Sequence, residues 1–148
     1  MENSREQIEI LLVEDNPDDA MLSIMALEES HVINKIIHLK DGAEALEYIF
    51  HTGKYASQPV DTHPKIILLD LKMPKVSGLE VLRKLKGDEQ MKKIPVIVFT
   101  SSNQDPDVKE CYSLGVNSYV VKPLSFAQFK KAVNDIGLYW AVLNYVVE

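Results

Sequence analysis

Three short runs of almost unbroken aliphatic residues constrain the fold of this chain more than any other feature: IEILLV at 8–13, IILL at 66–69 and VIVF at 96–99. A strand with one wet face alternates polar and apolar residues, whereas runs this uniform belong to strands covered on both faces. Two further runs, 33–39 and 118–121, complete a set of five strands. Between and after them lie segments of helical periodicity, at about 17–30, 41–51, 78–87, 105–114 and 125–145. Ala43, Leu46, Ile49 and Phe50 share one face of the second, and Phe126, Phe129, Val133, Ile136 and Trp140 share one face of the last. Five β-then-α units joined by right-handed crossovers give an α/β fold, a parallel sheet between two layers of helices. Periodicity leaves several strand orders open. The flavodoxin-like order 2-1-3-4-5 of a (βα)5 three-layer sandwich is the natural one at this size.

Local chemistry marks the helix boundaries. Asn16-Pro17 offers an N-cap followed by proline at the first helical position. Asp41-Gly42 and Asp105-Pro106 open the next candidates, and Gly87 and Gly115 close theirs. Residues 51–65 form a longer connection than usual, holding Gly53, Pro59 and Pro64, and are expected to be a surface loop. No repeat, low-complexity tract or long linker divides the chain, so 1–148 is expected to be one domain, with a core at about 8–136 and a C-terminal helix extension at about 137–148. The formal net charge of −6 argues against nucleic-acid binding, which needs a basic surface. No stretch reaches the ~20 apolar residues of a membrane span. An acidic, polar N-terminus and a single cysteine, Cys111, lead to the expectation of a cytoplasmic protein without disulfides.

In open parallel sheets, chemistry collects at the carboxyl ends of the strands. Here the first strand ends in Glu14-Asp15, the third in Asp70, the fourth in Thr100-Ser101 and the fifth in Lys122-Pro123. Each has an ordinary role when taken alone. An acid suits a helix N-terminus, an aspartate suits a turn, a threonine caps a loop and a lysine solvates a surface. Chance turn chemistry does not place acids on strands one and three with a lysine on strand five. Three adjacent carboxylates repel one another unless cations join them. Lys122 supplies one positive charge and a divalent ion would supply the rest. Donors that are all oxygen, with no histidine or cysteine, suit Mg²⁺. Such a rim can neutralise an incoming phosphoryl group and aim a carboxylate nucleophile at it.

The motifs LLVEDN at 11–16, LLDLKMPKVSG at 68–78, VIVFTSS at 96–102 and YVVKP at 119–123 resemble the receiver domains of response regulators, over 8 to about 136. That resemblance implies a set of roles. Asp70 would accept the phosphoryl group. Asp15 would ligate Mg²⁺ directly, Glu14 through water, and the main-chain carbonyl of Lys72 would be a further ligand. Thr100 would be the switch hydroxyl, Lys122 its cationic partner, and Tyr119 the aromatic that turns inward as Thr100 moves. The Lys122–Pro123 peptide would be cis. Glu14 departs from the aspartate also common at its position, and Lys72 and Ser102 occupy positions that influence phosphoryl lifetime. The loop at 51–65 and the tail GLYWAVLNYVVE resemble a narrower subgroup, small single-domain regulators paired with bacterial phytochrome kinases.

The implied partner is a sensor histidine kinase, and the implied protein is a phosphoacceptor that catalyses only its own phosphorylation and dephosphorylation. The segment after Ile136 is too short for an effector domain, so output is expected through a protein partner. Trp140 and Leu143 continue the core stripe while Leu138, Val142 and Tyr145 face elsewhere, leaving a folded-back helix end and a homodimer surface both open. A haloacid dehalogenase type phosphatase needs a second aspartate where Lys72 stands. An FMN binder needs a phosphate cradle of amides where these strand ends are acidic. A mid-relay carrier and a docking-only receiver remain as alternatives.

Overall fold

The aliphatic runs form the interior of a five-stranded parallel sheet. A computed structural model describes residues 8–29, 33–58, 64–73, 75–101, 105–122, 125–128, 130–132 and 135. Its elements alternate along the chain: β1 (Ile8–Val13), α1 (Pro17–Glu28), β2 (Ile33–Leu39), α2 (Gly42–Phe50), β3 (Ile66–Leu69), α3 (Gly78–Lys86), β4 (Val96–Thr100), α4 (Asp105–Ser113) and β5 (Ser118–Val121). Residues 126–128 and 130–132 are also helical. The strand order is β2-β1-β3-β4-β5 and all pairs are parallel, the expected doubly wound order.

Period-two alternation sends successive strand residues to opposite layers. Leu11 and Val13 of β1, with Ile67 and Leu69 of β3, pack against Ala45, Tyr48 and Ile49 of α2, Leu82 and Leu85 of α3, and Cys111 of α4. Ile10 and Leu12, with Ile66 and Leu68, pack against Ala20, Ala26 and Leu27 of α1 and against Phe126 and Ala132. Each run is therefore buried on both faces, which is why it carries no polar alternation.

The caps follow the sequence. The Asn16 side chain accepts from the amides of Asp18 and Asp19, and that of Asp41 accepts from Glu44. Gly115, just past α4, has φ +94°, a left-handed turn that glycine adopts at no steric cost. Three expectations need correction. Strand four ends at Thr100 rather than Phe99, because Thr100 still pairs with Val121. The helix placed at 41–51 ends at Phe50, and His51 is its left-handed cap at φ 58°. The connection at 51–65 is not a bare loop. Gly53–Tyr55 forms a 3-10 turn, and the Tyr55 ring meets Tyr48 edge-on at 5.1 Å while its hydroxyl donates to Glu44. Pro123, Ser102, and the C-terminal helix from Ile136 through Trp140 and Leu143 lie outside the described residues, and so do the cis peptide and dimer surface assigned to them.

Candidate functional site

Register builds the site. Val13 pairs with Leu69, so the chain leaves β1 and β3 side by side, at Glu14 and Asp70. The ladder persists one step further, since the Glu14 amide donates to Leu39 and the Asp70 amide to Val13. Thr100 pairs with Val121, which brings Lys122 in from β5, and the Lys122 amide donates to the Thr100 carbonyl at 2.8 Å. Gly78 opens α3 directly beneath this rim. A Cβ there would collide with the Asp70 carbonyl oxygen, so the close approach of α3 requires glycine.

The strand ends meet at one ammonium. Lys122 Nζ donates to Glu14 Oε1 at 2.7 Å, to Asp19 Oδ2 at 2.9 Å and to Asp70 Oδ2 at 3.4 Å. Lys122 is therefore no solvated surface charge: its side chain is 13% exposed, against 3% for Glu14 and 8% for Asp70. Burial alone would lower the lysine pKa, but its bonds to Glu14 and Asp19 and the charge of Asp70 outweigh it and raise the pKa. Glu14 shows the opposite balance. Burial pushes its carboxyl up to about 7, further raised by Asp70 and only partly countered by Lys122. One lysine does not neutralise this rim.

The donor set fits a divalent ion. One carboxylate oxygen each from Glu14, Asp15 and Asp70 lie within 4.8 Å of one another, and Asp15 is exposed where an ion would enter. The three grouped donors are all carboxylate oxygens, which matches a hard, oxygen-loving cation such as Mg²⁺ or Mn²⁺. The Lys72 amide donates to Asp70 Oδ1 at 3.2 Å, holding the other carboxylate oxygen in place.

Thr100 ends β4, between β3 and β5, and is fully buried. Tyr119 is half-buried against the core layer of α2, α3 and α4, its ring 6.5 Å from that of Tyr112. The structure thus brings together Glu14, Asp15, Asp70 and Lys122, with Thr100 and Tyr119 on the adjoining strands.

Two residues at this rim escaped the sequence reading. Asp19, in the first turn of α1, is not among the rim residues read from the strand ends. The His38 ring donates from Nε2 to the Glu14 carbonyl at 2.9 Å, bracing the end of β1 from β2. Nothing in the spacing of the four histidines signals that contact.

Comparison with known proteins agrees with this geometry. Residues 10–134 match the family model described as the response regulator receiver domain. The chain is 46% identical over 136 residues to the probable methanogenesis regulatory protein FilR2 of Methanothrix harundinacea, covering 91% of this chain and 84% of that one. The phosphorylated cyanobacterial phytochrome response regulator RcpA superposes with a TM-score of 0.82 at 38% identity, covering 92% of this chain and 95% of its own. The Mn²⁺-bound form of the response regulator Rcp1, a protein of Synechocystis, superposes with a TM-score of 0.80 at 38% identity, over 90% and 94%. With its strand order, its acidic rim and a family match across nearly the whole sequence, the chain belongs to the response regulator receiver domains of two-component systems.

Proposed function

We propose that this protein takes a phosphoryl group from the phosphohistidine of a sensor histidine kinase onto Asp70 and passes the signal to a protein partner. The observation that carries the proposal is the convergence of Glu14 and Asp70, from two strand ends, within 3.4 Å of the ammonium nitrogen that Lys122 brings from a third. An oxygen of Asp70 attacks phosphorus; the new O–P bond forms as the donor N–P bond breaks. The departing imidazole nitrogen keeps the bonding pair and takes a proton. Asp15 and Asp70, with Glu14 through water and the Lys72 carbonyl, would hold Mg²⁺, which supplies positive charge against the phosphoryl oxygens.

The chain's own groups do the rest. The Lys72 amide orients Asp70, and Lys122 offers a charge-assisted hydrogen bond to a phosphoryl oxygen. Thr100 closes on another oxygen, and the space it leaves admits the Tyr119 ring, altering the surface of α4 and β5. A coupling of about 1–3 kcal/mol suffices for such a shift. The protein turns over no separate substrate. The Mn²⁺-bound form of Rcp1 and the phosphorylated form of RcpA support the metal-holding and phosphoryl-accepting parts of this reading.

Incubation with Mg²⁺ and phosphoramidate, followed by intact-mass measurement, tests it. The expected result is a gain of one phosphoryl group, absent without Mg²⁺ and absent in Asp70→Asn. A folded protein that gains no mass from any small phosphodonor would instead be a docking-only receiver.

A further inference from the structure

An alkylammonium has three N–H donors. In Lys122 all three are committed to carboxylates, and the contact with Asp70 is the longest of them, 3.4 Å against 2.9 Å for Asp19 and 2.7 Å for Glu14. Asp19 belongs to no strand end. It reaches the ammonium from the first turn of α1, and its contact closes 103 residues of chain.

The acceptors differ in what they lose when the ammonium moves. Glu14 is 3% exposed and would be left as a buried, unpaired charge, which is costly. Asp19 is 39% exposed, so water rehydrates it and the ion pair is surrendered cheaply. A phosphoryl group on Asp70 carries negative charge outward from the carboxylate to the phosphoryl oxygens. The ammonium must shift to follow it.

We propose that Asp19 is a releasable anchor for Lys122, holding the ammonium while Asp70 is bare and yielding it to an anionic group on Asp70. The inference rests on the phosphoacceptor reading above and assigns that site a positioning residue. Two effects act in the same direction. The Asp19–Lys122 pair stabilises the bare state, and the Asp19 charge repels incoming phosphoryl oxygens. Removing that charge therefore strengthens the hold of the site on the anion.

The probe is beryllofluoride, BeF₃⁻, a phosphoryl-like anion, titrated calorimetrically into the full chain with Mg²⁺ saturating for each variant. Asp19→Asn is expected to bind it about fivefold to tenfold more tightly than the unaltered chain, the size of one screened charge–charge repulsion. Asp19→Ser, which also removes the charge, is expected to do the same. Asp18→Asn removes an equal charge one residue away, at an exposed position, and is expected to change affinity by less than about twofold. Equal or weaker binding in both Asp19 variants, or an equal gain in Asp18→Asn, overturns the anchor. Binding that is lost in Asp70→Asn but unimproved in the Asp19 variants overturns the anchor alone. An unaltered chain that binds no BeF₃⁻ overturns the phosphoacceptor reading with it.

Discussion

Gly78 and Cys111 show how single residues answer to their surroundings. A methyl group on Gly78 would meet the Asp70 carbonyl and the Leu71 Cα, both backbone atoms that cannot swing aside. Gly78→Ala is expected to lower stability by about 1–3 kcal/mol in denaturant unfolding, the range for overpacking, and to displace Asp70 as it does so. Cys111 lies in the core with 0% exposure, and burial, with Asp107 and Glu110 nearby, pushes its thiol up to about 11. At pH 8 almost none of it is thiolate, so a thiol reagent is expected to react only at the rate of unfolding. Fast labelling of the native protein would contradict that burial. Lys75 was not foreseen: it holds φ 67° in the loop between Asp70 and α3 and pairs with Asp41 at 3.5 Å, a conformation no pattern of charges announces.

Among the elements, α1 bears most on the site, because its first turn delivers Asp19 to Lys122. Asn16 starts that helix by accepting two amide hydrogens, from Asp18 at 2.9 Å and Asp19 at 3.0 Å. Asn16→Ala is expected to cost about 1 kcal/mol of stability by thermal or urea unfolding. Asn16→Ser, which restores an acceptor, is expected to recover most of it. This cap was legible because Asn-Pro before a periodic segment is a local signal. The strands were legible for the same reason, since burial on both faces writes itself into consecutive residues. The turn at Gly53–Tyr55 was not, because it is set by Tyr55 meeting Tyr48 and Glu44 on another element. The Asp19 and His38 contacts were hidden likewise. They depend on which strands become neighbours, and only the folded sheet decides that.

At the scale of the whole molecule, the rim joins the ends of β1, β3, β4 and β5 with the first turn of α1, spanning most of the chain, so filling it should stabilise the entire domain. Glu14 sets the pH dependence. Its folded pKa of about 7 lies above its ordinary 4.5, so in metal-free protein its contribution favours folding fully below about 4.5 and is lost as pH rises through about 7. A bound divalent ion favours the ionised carboxylate and reverses that loss. The rise in melting temperature on adding Mg²⁺ is therefore expected to be larger at pH 8 than at pH 6. An equal or smaller rise at pH 8 would argue that Glu14 does not face the ion. Asp70, and no other carboxylate of this rim, is expected to carry the phosphoryl group. The most direct test is borohydride reduction after treatment with Mg²⁺ and phosphoramidate, followed by peptide mass mapping. Reduction of an aspartyl phosphate leaves homoserine, which is expected at position 70 and nowhere else. Homoserine at position 15 or 19, or a phosphoryl group that survives on another side chain, would contradict it.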